Sequence, residues 1–173
     1  MLSERMRKAM NEQVNAELYS SYLYVSMSMY FESIDMRGAA NWMMEQAKEE
    51  LIHARKLMDY VNERGGRVWL DAIEKPPQEW ESILDVFQAA LAHEEKVSSL
   101  INGLVTLARE ENDHMTDNFL QWFVAEQVEE EASAAEVVRK IKLVGDSGGG
   151  MFMIDKELEQ RGSVSASQSE GEE

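Results

Sequence analysis

Only two prolines occur in the 173 residues, and they stand together at Pro76-Pro77. Proline stops helices because it lacks an N–H and its ring meets the preceding turn. The rest of the chain is therefore free to form long helices. Gly65-Gly66 ends a helix just upstream, so 65–79 reads as one long connection. A loop of this length with no structure of its own is unusual inside a compact domain. It makes sense as a crossover, because roughly fifteen extended residues reach about 50 Å and a helix of about 27 residues is about 40 Å long. Such a loop can run the length of a bundle and start the next helix at the same end as the last.

Apolar residues recur every seven positions on either side of it. Ser3 is placed to cap a first helix running to about 33, with the stripe Met10, Glu17, Tyr24, Phe31. A second helix is expected over 38–64, with the stripe Met43, Glu50, Leu57. A third covers 79–110, with Phe87, Glu94, Ile101. Asp113 can cap a fourth helix reaching 144. That helix carries Leu120, Gln127, Ala134, Ile141 beside Phe123, Glu130, Val137, Val144. The glycine-rich run 145–150 breaks it, and a short fifth helix is expected over 151–160. The fold predicted is all-α: a four-helix bundle with one long crossover and a short C-terminal helix. The domain plan is a bundle over 1–145, the short helix within 146–162, and an acidic Ser/Glu/Gly-rich tail over 163–173 expected to be disordered.

Composition narrows the chemistry. No cysteine is present, which excludes disulfides, zinc-thiolate sites, iron–sulfur clusters and thiol nucleophiles. A net charge of −16 leaves no basic footprint for nucleic acid and suits either solubility or the attraction of cations. No apolar run approaches the length of a membrane span, and the expected location is the cytoplasm.

Glu17, Glu50, Glu94 and Glu130 each interrupt an apolar stripe near the middle of a helix. Midpoints coincide in height whether neighbouring helices run up or down, so the four carboxylates should meet at one level. His53, three residues after Glu50, leaves the same helix face. Buried carboxylates must be neutralised or protonated. No lysine or arginine lies in these central stripes, and two divalent cations would match four negative charges. Oxygen-rich ligation with one imidazole suits iron, manganese or zinc. The alternative is a structural bundle whose inward glutamates pair with water and protons.

At this point the chain resembles the non-haem ferritins of bacteria and archaea over residues 1 to about 161. The resemblance is carried by Asn15-Ala16-Glu17-Leu18-Tyr19, Glu49-Glu50-Leu51-Ile52-His53-Ala54, Glu63-Arg64-Gly65-Gly66, His93-Glu94-Glu95 and Gln121-Trp122-Phe123-Val124-Ala125-Glu126-Gln127-Val128-Glu129-Glu130. It implies a ferroxidase that oxidises Fe(II) with dioxygen or peroxide and stores ferric mineral in a homo-oligomeric cage of 24 subunits. Glu17, Glu50 and His53 match a first iron site. Glu50, Glu94 and Glu130 match a second, with Glu50 bridging. Gln127 matches an amide on the dioxygen side, and Tyr24 an electron donor beside the centre. Glu49, Glu126 and Glu129, with Glu130 shared, match a third iron site on the way to the cavity.

No haem is implied. A second Glu-x-x-His, as in bacterioferritins, is replaced by Gln127-x-x-Glu130, and Ile52 stands beside His53 without a haem-binding methionine. A cage-less diiron oxidase would share the same centre. One departure concerns the three-fold pore of the family: Asp117 fits it, but Leu120 stands where an acid is usual.

Overall fold

A computed structural model describes residues 1–160. The element order is α1 (Glu4–Ser33), α2 (Arg37–Glu63), α3 (Ile83–Glu110), α4 (His114–Val144) and α5 (Gly148–Leu158), with no strand among the described residues. The expected bundle is present. The tail over 163–173 lies outside the described residues.

Helix ends follow local chemistry. The Ser3 hydroxyl accepts from the Met6 N–H, and Asp113 accepts from Thr116. The α1–α2 and α3–α4 turns each place one residue in the left-handed region, Asp35 and Asn112, residue types that tolerate it. Gly65 does the same after α2. There the Gly65 and Gly66 N–H groups return to Asn62 and Val61 carbonyls, closing the helix end.

Two expected boundaries move. The third helix begins at Ile83, not 79, because Ser82 caps it and accepts from the Asp85 N–H. The fifth begins at Gly148, because Ser147 accepts from the Gly150 N–H and the glycines form its first turn. The cap outweighs the poor helix propensity of glycine.

The connection after α2 runs alongside α1. Asn11 accepts from the Trp69 N–H, Asn15 donates to the Ala72 carbonyl, Ser26 to Pro77 and Tyr30 to Trp80. Contacts advance steadily along both segments, as a crossover spanning the bundle requires.

The helices pair α1 with α2 and α3 with α4, and α1 also packs on α3. The core falls into two apolar clusters. One gathers Met6, Met10, Val14, Leu57, Ile101, Leu120 and Phe123. The other gathers Tyr24, Phe31, Trp42, Phe87, Val137 and Ile141. A polar layer separates them. Leu120 is fully buried in the first cluster, so it cannot line a surface pore. Asp117 lies near the surface and pairs with Arg109.

Candidate metal centre

The layer between the two clusters is built by one turn from each long helix. Glu17, Glu50, His53 and Glu94 are at most 4% exposed, and Glu130 is 7% exposed. Ligand atoms of Glu17, Glu50 and His53 lie within 4.8 Å of one another, as do those of His53, Glu126 and Glu130. His53 therefore belongs to both groups, where the family resemblance assigned it to one. Glu94 closes the layer from α3. It accepts from the Tyr24 hydroxyl on one oxygen and from Gln127 Nε2 on the other, the latter at 3.2 Å.

The remaining expected residues are placed unevenly. Glu49 is buried beside Glu50, Glu126 is half-buried and Glu129 is exposed; of the three only Glu126 joins one of the two groups. Gln127 is buried with its amide nitrogen toward Glu94 and Ser98. Trp122 packs edge-on against the His53 ring.

Two residues that the sequence did not single out complete the layer. Gln13 Nε2 donates to Glu17 Oε1 at 2.8 Å, and Gln46 Nε2 donates to Glu130 Oε2 at 2.6 Å. The signal was present. Each glutamine stands four residues before an inward glutamate, Gln13 before Glu17 and Gln46 before Glu50, and residues four apart share a helix face.

Hydrogen bonding stops short of satisfying the layer. Glu17 Oε2, Glu50 Oε2 and Gln46 Oε1 are the buried side-chain polar atoms without a hydrogen-bond partner among the described residues. His53 Nδ1 lies 3.3 Å from Glu50 Oε2 without hydrogen-bond alignment. Burial, reinforced by Glu50, holds the Glu17 carboxyl well above its usual range. Burial and the neighbouring Glu94 do the same to Glu50. Glu94 is pushed up to about 7 by burial and then by Glu130. Tyr24 is raised by burial and by Glu94. With no cation the layer must take up protons, and a bound cation would release them. Three acceptor oxygens with nothing to accept from, beside carboxylates and an imidazole, fit a hard or borderline cation.

Fold and centre together define a class: four-helix bundles that carry a buried cluster of glutamates and a histidine midway along their helices. The model of the Ferritin-like domain family matches residues 7–144. The bacterial non-heme ferritin of Bacteroides fragilis is 47% identical over 161 residues, which is 93% of this chain and 100% of that relative. The bacterial non-heme ferritin of Campylobacter jejuni is 42% identical over 156 residues, 90% of this chain and 93% of that relative. Crystal structures of an open-pore ferritin from the hyperthermophilic archaeon Archaeoglobus fulgidus superimpose with a TM-score of 0.93 at 52% identity, over 94% of this chain and 99% of that one. This chain belongs to the ferritin family.

Proposed function

We propose that the protein is an iron-storage ferritin with ferroxidase activity, acting on Fe(II) at a dinuclear centre within each subunit. One observation carries this reading. The unpartnered buried oxygens all fall in the layer where four helices bring their mid-point glutamates together. Family membership and relatives named non-heme ferritins support it.

In this reading Glu17, Glu50 and His53 hold one Fe(II), and Glu50, Glu94 and Glu130 the other. Glu50 is the shared ligand in this reading because its unpartnered Oε2 lies 3.3 Å from His53 Nδ1 while its carboxyl also feels the charge of Glu94. Carboxylate ligands favour the higher charge of Fe(III), which drives oxidation. Each pair of Fe(II) gives up two electrons, and one dioxygen with two protons becomes hydrogen peroxide. Protons held by the raised carboxyls leave as iron binds. Where dioxygen is taken on to water with four electrons and four protons, Tyr24, hydrogen-bonded to Glu94, would supply one electron and three Fe(II) the others. Gln127 orients the oxidant side. Glu126 and Glu130, with Glu49 and Glu129, form the onward route for Fe(III) into the cavity of a homo-oligomeric cage of 24 subunits. The net charge of −16 raises the local Fe(II) concentration. The expected setting is the cytoplasm, and no helix among the described residues is long and apolar enough to cross a membrane.

An anaerobic Fe(II) titration followed by exposure to air tests this. The expected result is about two Fe(II) bound per chain at the dinuclear centre, then fast growth of ferric absorbance. No binding, or binding without oxidation, would remove the enzyme from the proposal.

A further inference from the structure

Three buried amides repeat one arrangement around the centre. Gln13 donates to Glu17, Gln46 to Glu130 and Gln127 to Glu94. Each serves a different glutamate and occupies one of its oxygens. Glu17 and Glu50 each keep an Oε2 with no hydrogen-bond partner. Gln13 and Gln46 are 3% and 0% exposed. Packing alone does not call for a glutamine at either place, since leucine or methionine fills a similar volume without burying a carbonyl. Gln46 even leaves its Oε1 unpartnered, an arrangement that is unfavourable unless a donor arrives.

We propose that Gln13 and Gln46 are positioning residues of the metal centre. Each ties down one carboxylate oxygen and presents the other to a cation. Gln46 Oε1 then accepts a hydrogen bond from water carried in by the cation at the Glu94/Glu130 position. The inference rests on the dinuclear reading above. The two glutamines divide their work. Gln13 acts within α1 on Glu17, beside His53. Gln46 reaches from α2 to Glu130 on α4. Their loss should therefore be felt at different positions. Partners of this kind hold ligands in orientation, and their removal commonly costs metal affinity about tenfold to a hundredfold.

The test is cobalt(II) titration of the assembled wild-type, Gln13→Met and Gln46→Met proteins, with anomalous diffraction at the cobalt edge to read occupancy at each position. Gln13→Met should weaken the Glu17/His53 position about tenfold or more and spare the other. Gln46→Met should do the reverse. Unchanged affinity in both variants would overturn the inference, as would equal loss at both positions in either one, which is what a general loosening of the bundle gives. Should a methionine variant fail to fold, the asparagine variant, whose amide is too short to reach, carries the same expectation. Wild-type protein binding fewer than two cobalt ions per chain would instead overturn the dinuclear reading itself and, with it, this inference.

Discussion

Glu50 is the residue on which most of the chemistry turns. It is 1% exposed, has an oxygen without a partner, and faces Glu17, Glu94 and His53 together. Glu50→Gln keeps its shape and removes its charge. The variant should fold, because it relieves a buried carboxyl held far from its usual range. Its initial rate of Fe(II) oxidation in stopped flow should fall by about a hundredfold or more. A near-normal fast phase would refute the bridging role.

The same carboxyls give the cation-free protein a pH signature. The Glu94 carboxyl is raised to about 7, and burial also holds Glu17 and Glu50 well above their usual range. The folded state keeps protons that the unfolded chain has released, so stability falls as pH rises through that window. His93, buried and lowered to about 4, works in the opposite sense, but only between about 4 and its ordinary 6.5. From about pH 6.5 to about 8 the carboxyls dominate. The melting temperature measured by circular dichroism should drop over that range without divalent metal and recover when it is added. A flat or rising profile would count against the protonated layer.

Elements were more legible than their junctions. Stripes such as Met10, Glu17, Tyr24, Phe31 announced the long helices, because a seven-residue repeat reports the buried face directly. Boundaries set by a single hydroxyl, at Ser82 and Ser147, were misplaced, since propensity and capping compete there. The docking of α5 was invisible in sequence. Met36 offers α2 no side-chain cap, and Asp155 of α5 supplies one by accepting from the Ala39 N–H at 2.9 Å. Gly38 makes that contact possible, because a Cβ there would lie 1.7 Å from the Asp155 carbonyl oxygen.

Asp155→Ala should cost about 1 kcal/mol, the value of a cap. Gly38→Ala should cost about 2–3 kcal/mol and raise hydrogen exchange along α5. Protection of α5 equal to wild type would contradict the contact. At the other end, Arg64 of α2 binds Asp113, the cap of α4, with Tyr60 and Thr116 around it. Both partners are mostly buried, so Asp113→Ala loses a cap and strands a cation. The expected loss is about 3 kcal/mol, read as a lowered denaturant midpoint. A change under about 0.5 kcal/mol would show the pair to be ornamental.

At the scale of the whole chain, the polar layer divides the core. Two apolar clusters supply the stability, and the layer between them is left short of partners. Its position was readable because four inward glutamates fell near four helix midpoints. Gln13 and Gln46 were not singled out, because a glutamine reads as a surface residue unless the facing helix is known. Assembly belongs to this scale as well. Phe152 and Met153 on α5 stay exposed in the single chain, and a cage would cover such surface. Gel filtration should give a particle many times the 19.8 kDa chain. A monomer or dimer would end the storage reading while leaving the oxidation chemistry open.

The central claim, that one subunit places two iron ions on Glu17, Glu50, His53, Glu94 and Glu130, is tested most directly by anomalous diffraction at the iron edge from crystals soaked anaerobically in Fe(II). The account predicts two peaks about 3.5–4 Å apart, both touching Glu50, with His53 on one of them. A single peak, or iron bound only at surface acids, would contradict it.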